Sequence, residues 1–214
     1  MTILDKPAAR DLYDRIAGRY DAWLSTFRLL GLDRWRRRLI DALDIAPGDE
    51  VVDLCCGTGE NLVLLAAAVG PGGRVVGIDL SEGMLDRART KVASARLDNV
   101  ELSRGDVESF EVPRTASAVL LTFGLEMVPR YDDVVRRRAR NLASGSRFGL
   151  LGVKFPERWP DLLVTALEPM VRRFGATREY REFRPWVSAA THMDQQSYAE
   201  HLAGAVYSSV AAPR

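Results

Sequence analysis

Three aspartates stand where a carboxylate would have chemical work to do. Asp53 ends a β-branched apolar run, Val51-Val52, just before Cys55-Cys56-Gly57-Thr58-Gly59. A carboxylate there suits a cationic ligand, such as an amino group or a sulfonium, better than a pyrophosphate. Asp79 ends a second run, Arg74-Val75-Val76-Gly77-Ile78. An acid at the tip of a second strand can accept both hydroxyls of a ribose. Asp106 follows a third run, Val100 to Arg104. Between the first two acids, Gly57 and Gly59 allow a tight turn and a close approach of ligand to backbone. A dinucleotide site wants G-x-G-x-x-G, but Leu62 stands where the third glycine belongs. That counts against a nicotinamide-dependent oxidoreductase.

These residues need a frame of alternating strands and helices. Residues 50–54 read as a buried strand, and Leu62-Val63-Leu64-Leu65-Ala66-Ala67-Ala68 as a helix. Residues 74–79 form the second strand, and Ser81 caps a helix over residues 82–95. Residues 100–104, 116–121 and 147–154 supply three more strands, with an Arg-rich amphipathic helix over 132–142. Residues 196–202 and 205–210 close the chain as two strands about an Ala203-Gly204 turn. Ahead of this core, Leu12, Ile16, Tyr20, Trp23, Leu24 and Phe27 recur at helical spacing. In a parallel α/β sheet the ligand lies outside the carboxyl ends of the strands, where all three acids fall.

Val52-Asp53-Leu54-Cys55-Cys56-Gly57-Thr58-Gly59 resembles the first motif of the class I S-adenosylmethionine-dependent methyltransferases. Gly77-Ile78-Asp79-Leu80-Ser81-Glu82-Gly83-Met84-Leu85 resembles their second, and the likeness continues through Gly105-Asp106-Val107-Glu108. It implies an α/β fold: a Rossmann-like, seven-stranded, mostly parallel sheet with helices on both faces and a C-terminal antiparallel hairpin. It also implies S-adenosylmethionine as cofactor. Asp53, near the Gly57 turn, would face its methionine portion, Cys55, Gly57, Thr58 and Gly59 would also bind the cofactor, and Asp79 would hold its ribose. Leu80, Met84, Asp106 and Val107 would frame the adenine, with Thr122 at the exit of the fourth strand.

Tyr13-Asp14-Arg15-Ile16-Ala17-Gly18-Arg19-Tyr20-Asp21 resembles a segment of the branch that holds ubiquinone/menaquinone C-methyltransferases and bacterial phospholipid N-methyltransferases. In that branch the segment folds over the cofactor, and this makes Tyr13 and Tyr20 candidate catalytic residues, Tyr20 also touching the cofactor. Residues 121–129 and 154–160 place the resemblance on the phospholipid side. The expected reaction is therefore N-methylation of a phosphatidylethanolamine-type head group, with C-methylation of a quinone or another apolar small molecule as the alternative. A module that holds the cofactor without chemistry is the reading from another class. Glu126, Lys154 and His192 are the candidate substrate contacts.

The chain has 214 residues, 47% of them hydrophobic and 28% charged, as in an ordinary globular protein. It divides into an N-terminal helical cap (1–46), a cofactor-binding core (47–154), a substrate-side insertion (155–192) with a helix over 161–174, and a closing hairpin (193–214). A formal net charge of +1 provides no global field to recruit nucleic acid. The adjacent Cys55 and Cys56 read as packed thiols, and nothing suggests a metal site. No apolar run approaches the ~20 residues that span a bilayer, so the expectation is a cytoplasmic protein. Arg34, Arg36, Arg37 and Arg38 flank Trp35 near Leu29, Leu30 and Leu32. Such a stretch can dock reversibly on an anionic membrane surface.

Overall fold

The computed structural model describes residues 6–28, 30–165 and 182–214. Its strands are β1 (Glu50–Leu54), β2 (Arg74–Asp79), β3 (Val100–Arg104), β4 (Ala116–Thr122), β5 (Arg147–Val153), β6 (Asp194–His201) and β7 (Val206–Ala212). They form one seven-stranded sheet in the order β3-β2-β1-β4-β5-β7-β6. The pairs from β3 through β5 are parallel, while β7 runs antiparallel to both β5 and β6. The strand order reverses between β1 and β4, which leaves a crevice at their carboxyl ends.

Helices cover both faces. They are α1 (Lys6–Arg28), α2 (Leu32–Asp41), α3 (Leu62–Val69), α4 (Glu82–Ser94), α5 (Tyr131–Asn141) and α6 (Pro185–His192). The two-residue period of the strands sorts their side chains between two cores. Val52, Leu54, Ile78, Val119, Leu121 and Phe148 pack on one face with Val134 and Val135 of α5 and Ala189 of α6. Val51, Val75, Ala118 and Leu120 pack on the other, with Leu39 of α2, Leu65 of α3 and Ala88 of α4. In β1, Val51, Val52 and Leu54 are wholly removed from water. Each such side chain contributes about 1.5–3 kcal/mol of burial. A central strand with both faces covered reads as a continuous apolar run, and β1 does so apart from Glu50 at its start and Asp53.

The sequence expectations hold for every strand and for the Ser81 cap, whose hydroxyl accepts from the Met84 N–H at 3.1 Å. The closing strands are joined by a 3-10 turn over Leu202–Gly204. Residues 161–165 are helical, and the rest of the helix expected over 161–174 lies outside the described residues. So do the side chains of Trp23, Leu24 and Phe27. Helix α6 was not expected; it starts on Pro185 at its first turn, where a missing N–H costs nothing. His192, a candidate substrate contact, is therefore the last residue of a helix. Among the described residues, no helix is long and apolar enough to cross a membrane.

Candidate active site

A cleft of about 980 Å³, counting the space open to solvent at its mouth, runs across the carboxyl ends of β3, β2, β1 and β4. Asp106 and Val107 line it beyond β3, Asp79 and Leu80 beyond β2, Cys55, Gly57 and Thr58 beyond β1, and Thr122 at β4. Met84 lines it from α4, and Tyr13 and Tyr20 from α1. Eleven residues expected from the sequence to form a site are thus brought to one cleft.

Backbone geometry shapes the centre. Gly57 has φ 55°, and a Cβ placed on it would meet nothing within 4 Å. The missing side chain therefore leaves space inside the cleft. Its N–H donates to Asp79 Oδ2 at 2.8 Å, and the Ser81 N–H donates to Oδ1 at 2.9 Å. These bonds fix the carboxylate at the tip of β2. Burial outweighs them and raises the Asp79 pKa above the usual carboxylate value.

Helix α1 lies over the mouth on polar contacts. Asp14 Oδ1 accepts from the Ser81 hydroxyl and, at 3.0 Å, from the Gly83 N–H at the start of α4. Asp21 accepts from the Thr58 hydroxyl at 2.6 Å and pairs with Lys91 at 3.1 Å. Lys6 bridges Asp106 and Glu108 at 2.6 and 2.7 Å. Tyr13 and Tyr20 meet edge to face, centroids 6.2 Å apart. Burial holds both phenols well above their usual pKa, so they stay protonated near neutrality. Burial does the same to the Cys55 and Cys56 thiols, and both cysteines are free.

Five expected residues do not line the cleft. Asp53 is fully buried behind it, where its carboxylate accepts from Asn61 Nδ2 at 3.2 Å to each oxygen. Burial lifts its pKa to about 7, so it holds Asn61 rather than a ligand. Gly59, at φ 81°, serves packing. A Cβ there would lie 2.8 Å from Leu62 Cδ1 and 3.2 Å from Ala88 Cβ. Glu126 is buried behind the wall formed by Gly124 and Met127, and accepts from the Val153 N–H at 2.8 Å; burial raises its pKa to about 7. Lys154 pairs with Glu200 and lies 5.1 Å from the Trp186 ring centroid, so a nearby acid already takes its charge. His192 lies 3.7 Å from Asp132 on α5, on the flank of the sheet.

Three contributing residues escaped the sequence reading. Asn61 links Asp53 to the Thr122 hydroxyl, 3.0 Å from its Nδ2. Arg138, buried on α5, donates to the carbonyls of Phe110 and Val107 at 2.9 and 2.8 Å and so anchors the loop after β3. Arg36 is buried and lines the cleft. It was expected on a membrane-facing surface with Arg34, Arg37 and Arg38, which are indeed exposed. The signal lies in the spacing: Leu32, Trp35, Arg36, Leu39 and Ile40 form one helical stripe, and the other three arginines fall off it.

Sheet order, crevice and the covering helix define the class I methyltransferase fold. Solved structures agree in shape. A methyltransferase from Aquifex aeolicus aligns with a TM-score of 0.62 at 18% identity, over 82% of this chain and 88% of that one. The geranyl diphosphate C-methyltransferase of Streptomyces coelicolor aligns with a TM-score of 0.67 at 16% identity, over 85% and 79%. The profile of the ubiE/COQ5 methyltransferase family matches residues 1–210, and the chain belongs to that family. A demethylmenaquinone methyltransferase of Bacillus cereus is 35% identical over 140 residues, 64% of this chain. The match spans 58% of that relative's length. These findings overturn the expectation of a phospholipid N-methyltransferase: the chain falls in the ubiE/COQ5 methyltransferase family, and the relatives carry a menaquinone in their name.

Proposed function

We propose that the chain transfers a methyl group from S-adenosylmethionine to a ring carbon of an apolar, quinol-type acceptor. The observation that carries this reading is the single cleft in which Asp79, the open space at Gly57 and the two tyrosines of α1 meet, within a chain of this family. Asp79 would hold the ribose, Leu80 and Met84 the faces of the adenine, and Asp106 with the Val107 amide its edge. When bound, the cofactor supplies an activated methyl electrophile, so the protein's part is mostly to position and to exclude water.

Tyr13 and Tyr20 present protonated hydroxyls beside aromatic surface. They can orient an acceptor oxygen by hydrogen bonds and pack on a flat ring. A ring carbon attacks well only when its neighbouring hydroxyl gives up a proton. Glu126 lies behind the cleft wall, so it acts on this step only through the charge that both tyrosines feel. An apolar acceptor partitions into bilayers. Exposed Leu30 beside exposed Arg34, Arg37 and Arg38 is the patch we place against an anionic surface, each arginine contributing about 1 kcal/mol.

The test is methyl transfer from labelled S-adenosylmethionine to a short-chain demethylmenaquinol kept reduced, with product mapped by mass spectrometry. Label on a ring carbon is the expected result. Tight cofactor binding with no transfer to any quinol would overturn the assignment of acceptor.

A further inference from the structure

A second concavity lies between α5 and the loop that follows β3. Arg130, Asp133, Arg136, Arg137 and Arg140 line it from α5 and its N-cap, and Glu108 lines it from the loop. Its volume is about 820 Å³, counting the space open to solvent. Asp133, Arg136, Arg137 and Arg140 fall at helical spacing, so one face of α5 presents them together. Four guanidinia thus meet two carboxylates in one groove.

Both carboxylates are already shared. Glu108 takes Arg130 at 3.2 Å and Lys6 at 2.7 Å. Asp133 takes Arg136 and, at 3.8 Å, Arg130. Among the described residues, no acid pairs with Arg137 or Arg140. Nor does one pair with the neighbouring Arg138, which is fully buried and whose Nε has no hydrogen-bond partner among those residues. Burial, and next the like charge of Arg137, push the Arg138 pKa down to about 10. Positive charge is therefore in excess in the groove and in the core beside it. A solvated helix face would spread such charges or alternate them with acids. Here they converge on a concave wall, which focuses their field on an anion.

Shape and charge select the kind of anion. One guanidinium fork satisfies a carboxylate, whereas a phosphate offers oxygens to several. An anionic bilayer fits less well, because Glu108 and Asp133 would face it. Helices α5 and α2 also cover opposite faces of the sheet. A membrane lying against Arg34, Arg37 and Arg38 would leave the groove in water.

We infer that this groove binds a small soluble phosphate ester or diphosphate, held chiefly by Arg137 and Arg140 and completed by Arg130. The site has a route to the cleft. Contacts run from Arg130 through Glu108 and Lys6 to Asp106, at 3.2, 2.7 and 2.6 Å. An anion that draws Arg130 away leaves Glu108 to Lys6 alone. The ammonium then shifts toward Glu108 and releases Asp106 toward the adenine. The bound anion tightens the cofactor in this way, a coupling that rests on the proposed function; the anion site itself does not.

Calorimetry on the full chain titrates pyrophosphate and inorganic phosphate without cofactor or acceptor, at an ionic strength held constant with chloride. Pyrophosphate should bind at one site, and more tightly than phosphate. Arg137→Gln and Arg140→Gln should each weaken it by about five- to tenfold. Both arginines are exposed, so the ligand-free variants should melt no lower than the parent. Arg96→Gln removes an exposed charge just past the end of α4, outside the groove, and should change little. An equal loss in Arg96→Gln would overturn the inference, since net charge alone would then attract the anion. So would a parent that binds neither anion. So would a parent that ignores free pyrophosphate yet binds anionic phospholipid vesicles through Arg137 and Arg140, which assigns the groove to a membrane. With pyrophosphate saturating, S-adenosylhomocysteine should bind the parent about two- to fivefold more tightly. Lys6→Met should keep the anion and lose that gain. Unchanged S-adenosylhomocysteine affinity at saturation would overturn the coupling. A chain that bound pyrophosphate but no S-adenosylhomocysteine would overturn the reading of the cleft, and the coupling with it, while the anion site stood.

Discussion

The Gly57 N–H donates to Asp79 Oδ2 at 2.8 Å, so the turn after β1 and the tip of β2 are joined by the carboxylate assigned to the ribose. The same carboxylate receives the Ser81 N–H that leads into α4. Two backbone donors hold it while its remaining lone pairs stay available to a diol. We expect Asp79→Ala to lose the ligand contact and the brace together. A lost charged hydrogen bond costs roughly 1.5–3 kcal/mol, so S-adenosylmethionine should bind at least about tenfold more weakly by calorimetry. Unaltered affinity would remove Asp79 from the ribose position.

Gly57 and Gly59 should fail in different ways. A side chain on Gly57 enters open cleft space and meets no neighbour, so Gly57→Val should fold with only the backbone strain of its φ of 55° and lose the cofactor. One on Gly59 meets Leu62 and Ala88 at 2.8 and 3.2 Å, with φ at 81°. Gly59→Val should therefore cost stability of about 1–3 kcal/mol through overpacking, with a further loss from backbone strain. Thermal melts of the two ligand-free variants make the comparison. A normal melting temperature for Gly59→Val would return that glycine to the ligand.

This contrast marks what could be read before the fold was seen. The strands, the cap at Ser81 and the acids at strand tips follow local rules, because β-branched runs, caps and turn residues act within a few positions. The role of Gly59 depends on Ala88, on another helix, and that of Asp53 on Asn61 across the turn. Such partners are set by packing and leave no local mark. Arg36 was legible all the same. Its place on the apolar stripe of α2 separates it from Arg34, Arg37 and Arg38, but reading the four as one charge run hid it. Substrate was the least legible feature, since phospholipid and quinone enzymes of this branch share the cofactor motifs that dominate the sequence.

Buried carboxyls should make the ligand-free protein less stable as pH rises. Asp53 and Glu126 have ordinary values of 3.8 and 4.5 and folded values of about 7, raised by burial in each case. Between those limits the folded state binds more protons than the unfolded state, so stability falls with increasing pH and levels off above about 7. Each group contributes on the order of 3 kcal/mol across its window. Glu126→Gln keeps an acceptor for the Val153 N–H, and Asp53→Asn keeps one for Asn61. At pH 8 both variants should melt higher than the parent, and at pH 4 the three should converge. Parallel melting curves across the range would mean that these acids ionise freely in the folded chain.

Lys6 sets the last expectation. Its ammonium bonds Asp106 at 2.6 Å and Glu108 at 2.7 Å, and it lines the cleft itself. The carboxylate proposed to meet the adenine edge is therefore covered by the first turn of α1. For Asp106 to turn toward a base, this pair must loosen. Lys6 is 45% exposed, so water screens the pair and its worth is at most about 1 kcal/mol. Lys6→Met should accordingly tighten S-adenosylmethionine by no more than about fivefold. Added salt, which weakens the same pair, should tighten binding to the parent and leave the variant unmoved. Asp106→Asn separates the two effects, because it weakens the adenine contact while Lys6 stays paired with Glu108. Calorimetry across a salt series on the three proteins decides it. A parent whose affinity falls with salt in step with Lys6→Met would show that the lysine does not compete for Asp106.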